Sequence, residues 1–158
     1  MRIKDADEGE AEAIVALWTE AYAKAGPEGR QERYALQEYF AVAASAAVTV
    51  AVDDAGEVVA VAALFPPGAP GRSVARPGEA ELARLAVTGR ARRQGIARAL
   101  VEGCGKRARE LGAEAVALWS RPYQTAAHAL YESLGYRRVP ERGDEDRDGS
   151  RWVFRLDL

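Results

Sequence analysis

Apolar residues recur with helical spacing from Asp7 or Glu8 onward, at Ile14, Leu17, Trp18, Ala21 and Tyr22, which predicts a helix with one buried face. The four residues before it, 1–4, read as an edge strand. Gly26-Pro27-Glu28-Gly29 ends the first helix, and a second is predicted over 31–44. The pattern then changes to short β-branched runs. Residues 47–52 and 58–65 form a hairpin across Asp53-Asp54-Ala55-Gly56. A long loop over 66–78 follows, carrying Pro66, Pro67, Pro70 and Pro77 with three glycines. A strand over 81–87, a helix from about 95 to 111, a buried strand over 115–120 and a helix over 124–134 come next. Residues 136–139 and 152–156 close the chain as a hairpin. Strands on both sides of helices, with a βαβ unit in the middle, predict an α/β (α+β) fold in which helices flank a mixed sheet.

The chain has 158 residues, the length of a single domain over 1–158. Its opening residues are interrupted by Arg2, Lys4, Asp5, Asp7 and Glu8, which excludes an N-terminal apolar segment of the secretory or membrane-spanning kind and predicts a cytoplasmic protein. A formal net charge of −2 argues against nucleic acid as the main partner. The lone cysteine, Cys104, reads as a small helix residue, and one histidine with one cysteine makes no zinc site, so no metal is expected.

The junction Val87-Thr-Gly-Arg-Ala-Arg92-Arg93-Gln94-Gly95-Ile96-Ala97 runs from a strand end through a basic turn into a helix. The first turn of a helix leaves backbone N–H groups unpaired and carries the positive end of the macrodipole, so an anion docks there. Gly95 and Ala97 are small enough to admit a phosphate, and Arg92 and Arg93 add charge at the rim. A tight βα turn explains the same glycine. The chain has no G-x-x-x-x-G-K-[ST] and no G-x-G-x-x-G run, so Walker-type and Rossmann sites are unsupported.

The run Arg92-x-x-Gly95-x-Ala97 resembles the acyl-CoA pyrophosphate motif of the GNAT acyltransferase superfamily. A second segment, Gln124-Thr-Ala-Ala127-His-Ala-Leu130-Tyr131-Glu-Ser-Leu134-Gly135-Tyr136, is similar to that family's other signature. On a helix it places Gln124, Ala127 and Tyr131 on one face, with Gly135 ending the helix. The chain has Gln124 where the family usually has Asn, and Gly89 where it usually has Pro.

The resemblance implies a mostly antiparallel sheet with splayed central strands and acetyl-CoA as co-substrate. The pyrophosphate would lie on Arg92, Arg93, Gln94, Gly95, Ile96 and Ala97, and the pantetheine amides on the backbone of Leu85, Ala86 and Val87. Gln124, Ala127 and Tyr131 complete the cofactor set. The implied reaction is direct attack of a primary amine, from a small molecule or peptide, on the thioester in a ternary complex. Glu81 stands where the histone acetyltransferase branch has its catalytic glutamate and is the expected base, with Glu79 or a water-mediated route as competitors. Tyr131 is the expected acid toward the departing sulfur.

His128 is expected at a solvated or adenine-side position. The acceptor pocket of such a fold would draw on Trp18, Tyr22, Tyr34, Tyr39 and Phe40, on Arg72 and Arg76, and on the charged run 142–148, whose acidic part reads as a solvated hairpin tip. A homodimer remains open. So does a non-catalytic acyl-CoA-binding sensor, which retention of Tyr131 and a carboxylate on the cofactor strand disfavours.

Overall fold

A computed structural model describes residues 1–22 and 34–158. In chain order the elements are β1 (Arg2–Asp5), α1 (Ala11–Tyr22), α2 (Leu36–Ala43), β2 (Ala47–Val52), β3 (Val58–Phe65), β4 (Glu79–Val87), α3 (Ile96–Glu110), β5 (Ala115–Ser120), α4 (Thr125–Ser133), β6 (Arg137–Arg138), β7 (Asp144–Asp146) and β8 (Gly149–Asp157). The mixed sheet runs β1-β2-β3-β4-β5-β8-β6, with β7 paired to β8 off that path. The one parallel ladder described, β4 with β5, has α3 as its crossover. It matches Glu79–Glu81 to Ala115–Ala117 and extends no further along β4. β5 is paired over its whole length with β8 instead.

The chain gathers into two compact units, Met1–Ala63 with Arg84–Val101, and Leu64–Ala83 with Glu102–Leu158. In the first, α1 buries Ile14, Val15, Leu17 and Trp18, and Trp18 lies within reach of the Tyr34 and Tyr39 rings. β3 reads VVAVAALF and is buried from Val59 onward, an unbroken apolar run of the kind a central strand covered on both faces requires. β1 is mostly exposed, as its edge position demands. In the second unit Val116, Leu118, Phe154, Tyr131 and Tyr136 form the core.

The predicted elements reappear with shifted ends. β2, β3 and β5 have the predicted bounds. Glu10 and a short 3-10 turn precede α1, and the Glu10 side chain caps the Asp7 N–H at 2.9 Å. The predicted stop at 26–29 and the predicted start of the second helix lie outside the described residues. Where that helix is seen it begins at Leu36, because Ala35 is extended and its N–H donates to Glu38 Oε1. β4 starts two residues before the predicted 81, since the buried Glu79 already pairs with Ala115. The acidic run is an exposed hairpin end, as expected: Asp144–Asp146 form β7 against Gly149–Arg151, with Arg147 and Asp148 at the turn between them. Asp144 grips Arg151 and Asp146 grips Arg121, so its charges are paired.

Candidate active site

In the first unit the predicted anion turn is present. β4 ends at Val87, a 3-10 turn covers Gly89–Ala91, and α3 begins at Ile96. Arg93 and Gly95 both hold left-handed backbone, at φ 63° and 76°. For Arg93 that costs about 1 kcal/mol, which glycine avoids. Ile96 is buried and pins the helix start, while Arg92, Arg93, Gln94 and Gly95 are exposed. Among the described residues, the backbone N–H groups of residues 93–97 find no partner; Ala99 N–H to Gly95 O, 3.1 Å, is the first bond of the helix. A methyl added at Gly95 would meet no atom within 4 Å, so the surface in front of the turn is open.

Upstream, Arg84 sits at φ 57°, left-handed backbone inside β4. Two side chains of α1 hold it: Trp18 Nε1 donates to the Arg84 carbonyl at 3.3 Å and the Tyr22 hydroxyl donates to the Leu85 carbonyl. Arg92 Nε donates to the Val87 carbonyl at 3.4 Å. The Arg84 guanidinium lies 5.0 Å from the Trp18 ring centre and 5.1 Å from that of Tyr34, with Glu38 3.7 Å away. Trp18 and Tyr39 are thus core, and the cation held by the aromatic cluster is the protein's own.

In the second unit Glu79 and Glu81, two apart on β4, both face the loop 66–78. Glu81 is 1% exposed. Its carboxylate accepts the N–H groups of Ser73 (3.0 Å), Val74 (2.7 Å) and Ala75 (2.8 Å), and the Ser73 hydroxyl at 3.0 Å. Glu79 accepts the next N–H, Arg76, at 3.0 Å, together with the guanidinium groups of Arg142 and Arg155. Burial pushes Glu79 up, but the bonds from Arg142, Arg155 and the Arg76 amide outweigh it and bring its pKa down to about 2. Arg72 turns back onto the carbonyls of Ala69, Arg76 and Glu79, so it braces the loop from inside.

On α4 the sequence placed Gln124, Ala127 and Tyr131 on one face. The Gln124 carbonyl oxygen accepts the Arg121 N–H at 2.7 Å and the Ser120 hydroxyl at 2.9 Å. The side chain, one methylene longer than Asn, caps its own turn and leaves its NH₂ to donate. His128 is corrected from a solvated position to a buried one. Its Nε2 lies 3.1 Å from Ser120 Oγ, and its ring stacks on Trp152 and packs against Phe154. Since Ser120 donates to Gln124, the network places the proton on His128 Nε2.

Tyr131 is buried, its ring beside Tyr136 and Phe154, and burial followed by the neighbouring Tyr136 and Cys104 pushes its pKa well above the ordinary tyrosine range. It stays a hydrogen-bond donor throughout the working range. Cys104 is buried as expected, and burial raises its thiol to about 12 against a small opposing effect of Arg107.

Sequence reading missed Ser73, Arg142 and Arg155. Arg142 lay in the charged run, where only the buried acid two residues before Glu81 could have signalled a partner. Among the described residues no group of three or more His, Cys, Asp or Glu side chains could hold a metal ion, and no helix is long and apolar enough to cross a membrane.

The profile of the acetyltransferase (GNAT) family matches residues 11–136. No curated protein matches the sequence. Solved structures share the fold at low identity. The ribosomal-protein-alanine N-acetyltransferase of Brucella melitensis has a TM-score of 0.76 at 21% identity, with all of both chains covered. An N-acetyltransferase of Staphylococcus aureus Mu50 has a TM-score of 0.77 at 18% identity, over 99% of this chain and 97% of that one. A GNAT superfamily phosphinothricin acetyltransferase of Sinorhizobium meliloti, solved in complex with AcCoA, has a TM-score of 0.77 at 17% identity, over 99% of this chain and 88% of that one.

Proposed function

The chain belongs to the GNAT acetyltransferase family and is an acyltransferase, and on that premise we propose that it moves an acetyl group from acetyl-CoA to a primary amine of a small molecule or peptide, by direct attack in a ternary complex inside the cell. The observation that carries this reading is the run of N–H groups over residues 93–97, without a partner among the described residues, at the positive end of α3. The pyrophosphate takes those donors, with Arg92 and Arg93 at its edge. The pantetheine amides take the backbone of Leu85, Ala86 and Val87, exchanging the Tyr22 and Arg92 side-chain contacts for their own. Gln124, through its NH₂, and the half-buried Ala127 complete the cofactor contacts.

A lysine-like ammonium must lose its proton before it attacks, roughly 4.6 kcal/mol at pH 7, whereas releasing a thiolate costs roughly 2 kcal/mol. The greater demand is for a base. Glu81 is the proton's destination, reached through an intermediate group because its carboxylate is covered. Tyr131, held protonated, donates to the departing sulfur. The solved neighbours act, by their names, on acceptors as different as a ribosomal-protein alanine and phosphinothricin, and both are amines.

The test is to incubate the protein with acetyl-CoA and a panel of amines, peptides and aminoglycosides while following free thiol. Acceptor-dependent release supports the reading. Acetyl-CoA binding without release for any acceptor would point to the sensor.

A further inference from the structure

We propose that the Ser73 hydroxyl is the proton conduit between the acceptor's ammonium and Glu81, an inference that rests on the acyltransfer reading above and names the group that reading leaves unassigned. Glu81 is 1% exposed, and among the described residues four donor groups bond its carboxylate. Three are the backbone N–H groups of Ser73, Val74 and Ala75. An amide N–H donates but has no lone pair with which to take a proton and pass it on. The fourth contact, Ser73 Oγ at 3.0 Å from Oε2, can accept and donate at once. Ser73 is also an exposed residue, so the one side chain bonded to the buried carboxylate belongs to the surface.

The step balances as a double transfer. An ammonium N–H bond breaks and its proton bonds to a lone pair of Ser73 Oγ, while the Ser73 O–H bond breaks and that proton bonds to Glu81 Oε2. Serine is regenerated, Glu81 ends neutral, and the amine holds the electron pair that attacks the thioester carbonyl. The reverse path later returns the proton to water. The three amide donors keep Ser73 in place during the transfer, since its own N–H is one of them. The charged groups around Glu81 are Arg151 on β8, bound first to Asp144 and also sensing the Glu81 charge, and Glu79 on β4 with Arg142 and Arg155.

The experiment compares wild type with Ser73→Ala and Ser73→Thr from about pH 6 to 10, using an amine from the panel that turns over. Ser73→Ala keeps the backbone N–H and loses only the hydroxyl. The expected result is a fall in kcat/KM of about 100-fold at pH 7, the low end for acid–base assistance. That deficit shrinks about tenfold per pH unit toward the amine's own pKa, because only acceptor that arrives neutral then reacts. Ser73→Thr recovers a large part of the loss, and acetyl-CoA affinity by calorimetry does not move in either variant. A pH-independent reduction in Ser73→Ala, or none, overturns the conduit while leaving acyl transfer standing. Wild type that releases no thiol with any amine overturns both.

Discussion

Arg142 and Glu79 meet as a two-pronged ion pair, Nη1 to Oε2 at 2.9 Å and Nη2 to Oε1 at 2.8 Å, with both side chains only 6% exposed. The same guanidinium donates to the Val74 carbonyl at 2.7 Å. One residue of the C-terminal segment thereby holds both the start of β4 and the loop before it. The fork geometry is one that lysine cannot reproduce.

Arg142→Ala leaves a buried carboxylate with one cation fewer and an orphaned carbonyl. Removing one partner of a buried pair costs roughly 3–5 kcal/mol. Urea unfolding is expected to show a loss in that range, and limited proteolysis to find new cleavage in 66–78. A change within 0.5 kcal/mol would mean that Arg155 alone suffices for Glu79.

The same carboxylate makes stability depend on acid. Its pKa falls from an ordinary 4.5 to about 2 on folding, so the unfolded chain takes up the proton first as pH drops. The stabilisation is fully present above about pH 4.5 and is lost between there and pH 2; linkage puts it on the order of 3 kcal/mol. Thermal melts from pH 6 to 2.5 should show this slope, and Glu79→Gln should flatten it while lowering stability at pH 6.

At the anion turn, Gly95→Ala and Gly95→Glu separate strain from obstruction. Both pay about 1 kcal/mol for a side chain at φ 76°, and the added Cβ meets no atom within 4 Å, so both are expected to fold. The alanine variant is expected to bind acetyl-CoA within tenfold of wild type. The glutamate variant places a charge in front of the N–H groups of residues 93–97 and loses at least about 100-fold, about 2.7 kcal/mol. Calorimetric titration reads both. Equal affinities for Gly95→Glu and wild type would remove the pyrophosphate from this turn.

Legibility in the sequence followed how local the determinants were. The hairpin over β2 and β3 and the buried β5 carry their pattern within a few residues and were readable to the residue. The turn at 92–97 was readable for the same reason, since strand, glycine and helix start are contiguous. The employment of Glu81 was not, because it depends on amides of a loop whose conformation no periodicity encodes. His128 was misread since its partner, Ser120, belongs to another element.

Tyr131→Phe should be the milder catalytic lesion. It removes a donor from the easier half of the reaction, so kcat is expected to fall by roughly 10- to 100-fold with acetyl-CoA affinity unchanged. Because burial keeps the hydroxyl protonated, the wild-type rate should show no alkaline fall from this group below pH 10. A lesion larger than that of Ser73→Ala, measured with one acceptor, would make collapse of the tetrahedral intermediate the limiting step.

Cys104 bears on any thiol-release assay. With its pKa at about 12 and its side chain buried, the native protein should yield no titratable thiol to an aromatic disulfide reagent at pH 8, and one per chain after denaturation. Rapid reaction in the native state would show that the α3 face opens.

Strand geometry aims Glu79 and Glu81 the same way, and together they take the N–H groups of four consecutive loop residues, 73–76. β4 thus treats part of its own chain as a receptor treats an extended peptide, reading the main chain and, at Ser73, one hydroxyl. The Val74 and Ala75 contacts to Glu81 are made by backbone alone, so their identities are free to drift while the backbone stays docked. A surface built this way can be respecified for new acceptors by grafting, with the proton-handling groups left untouched.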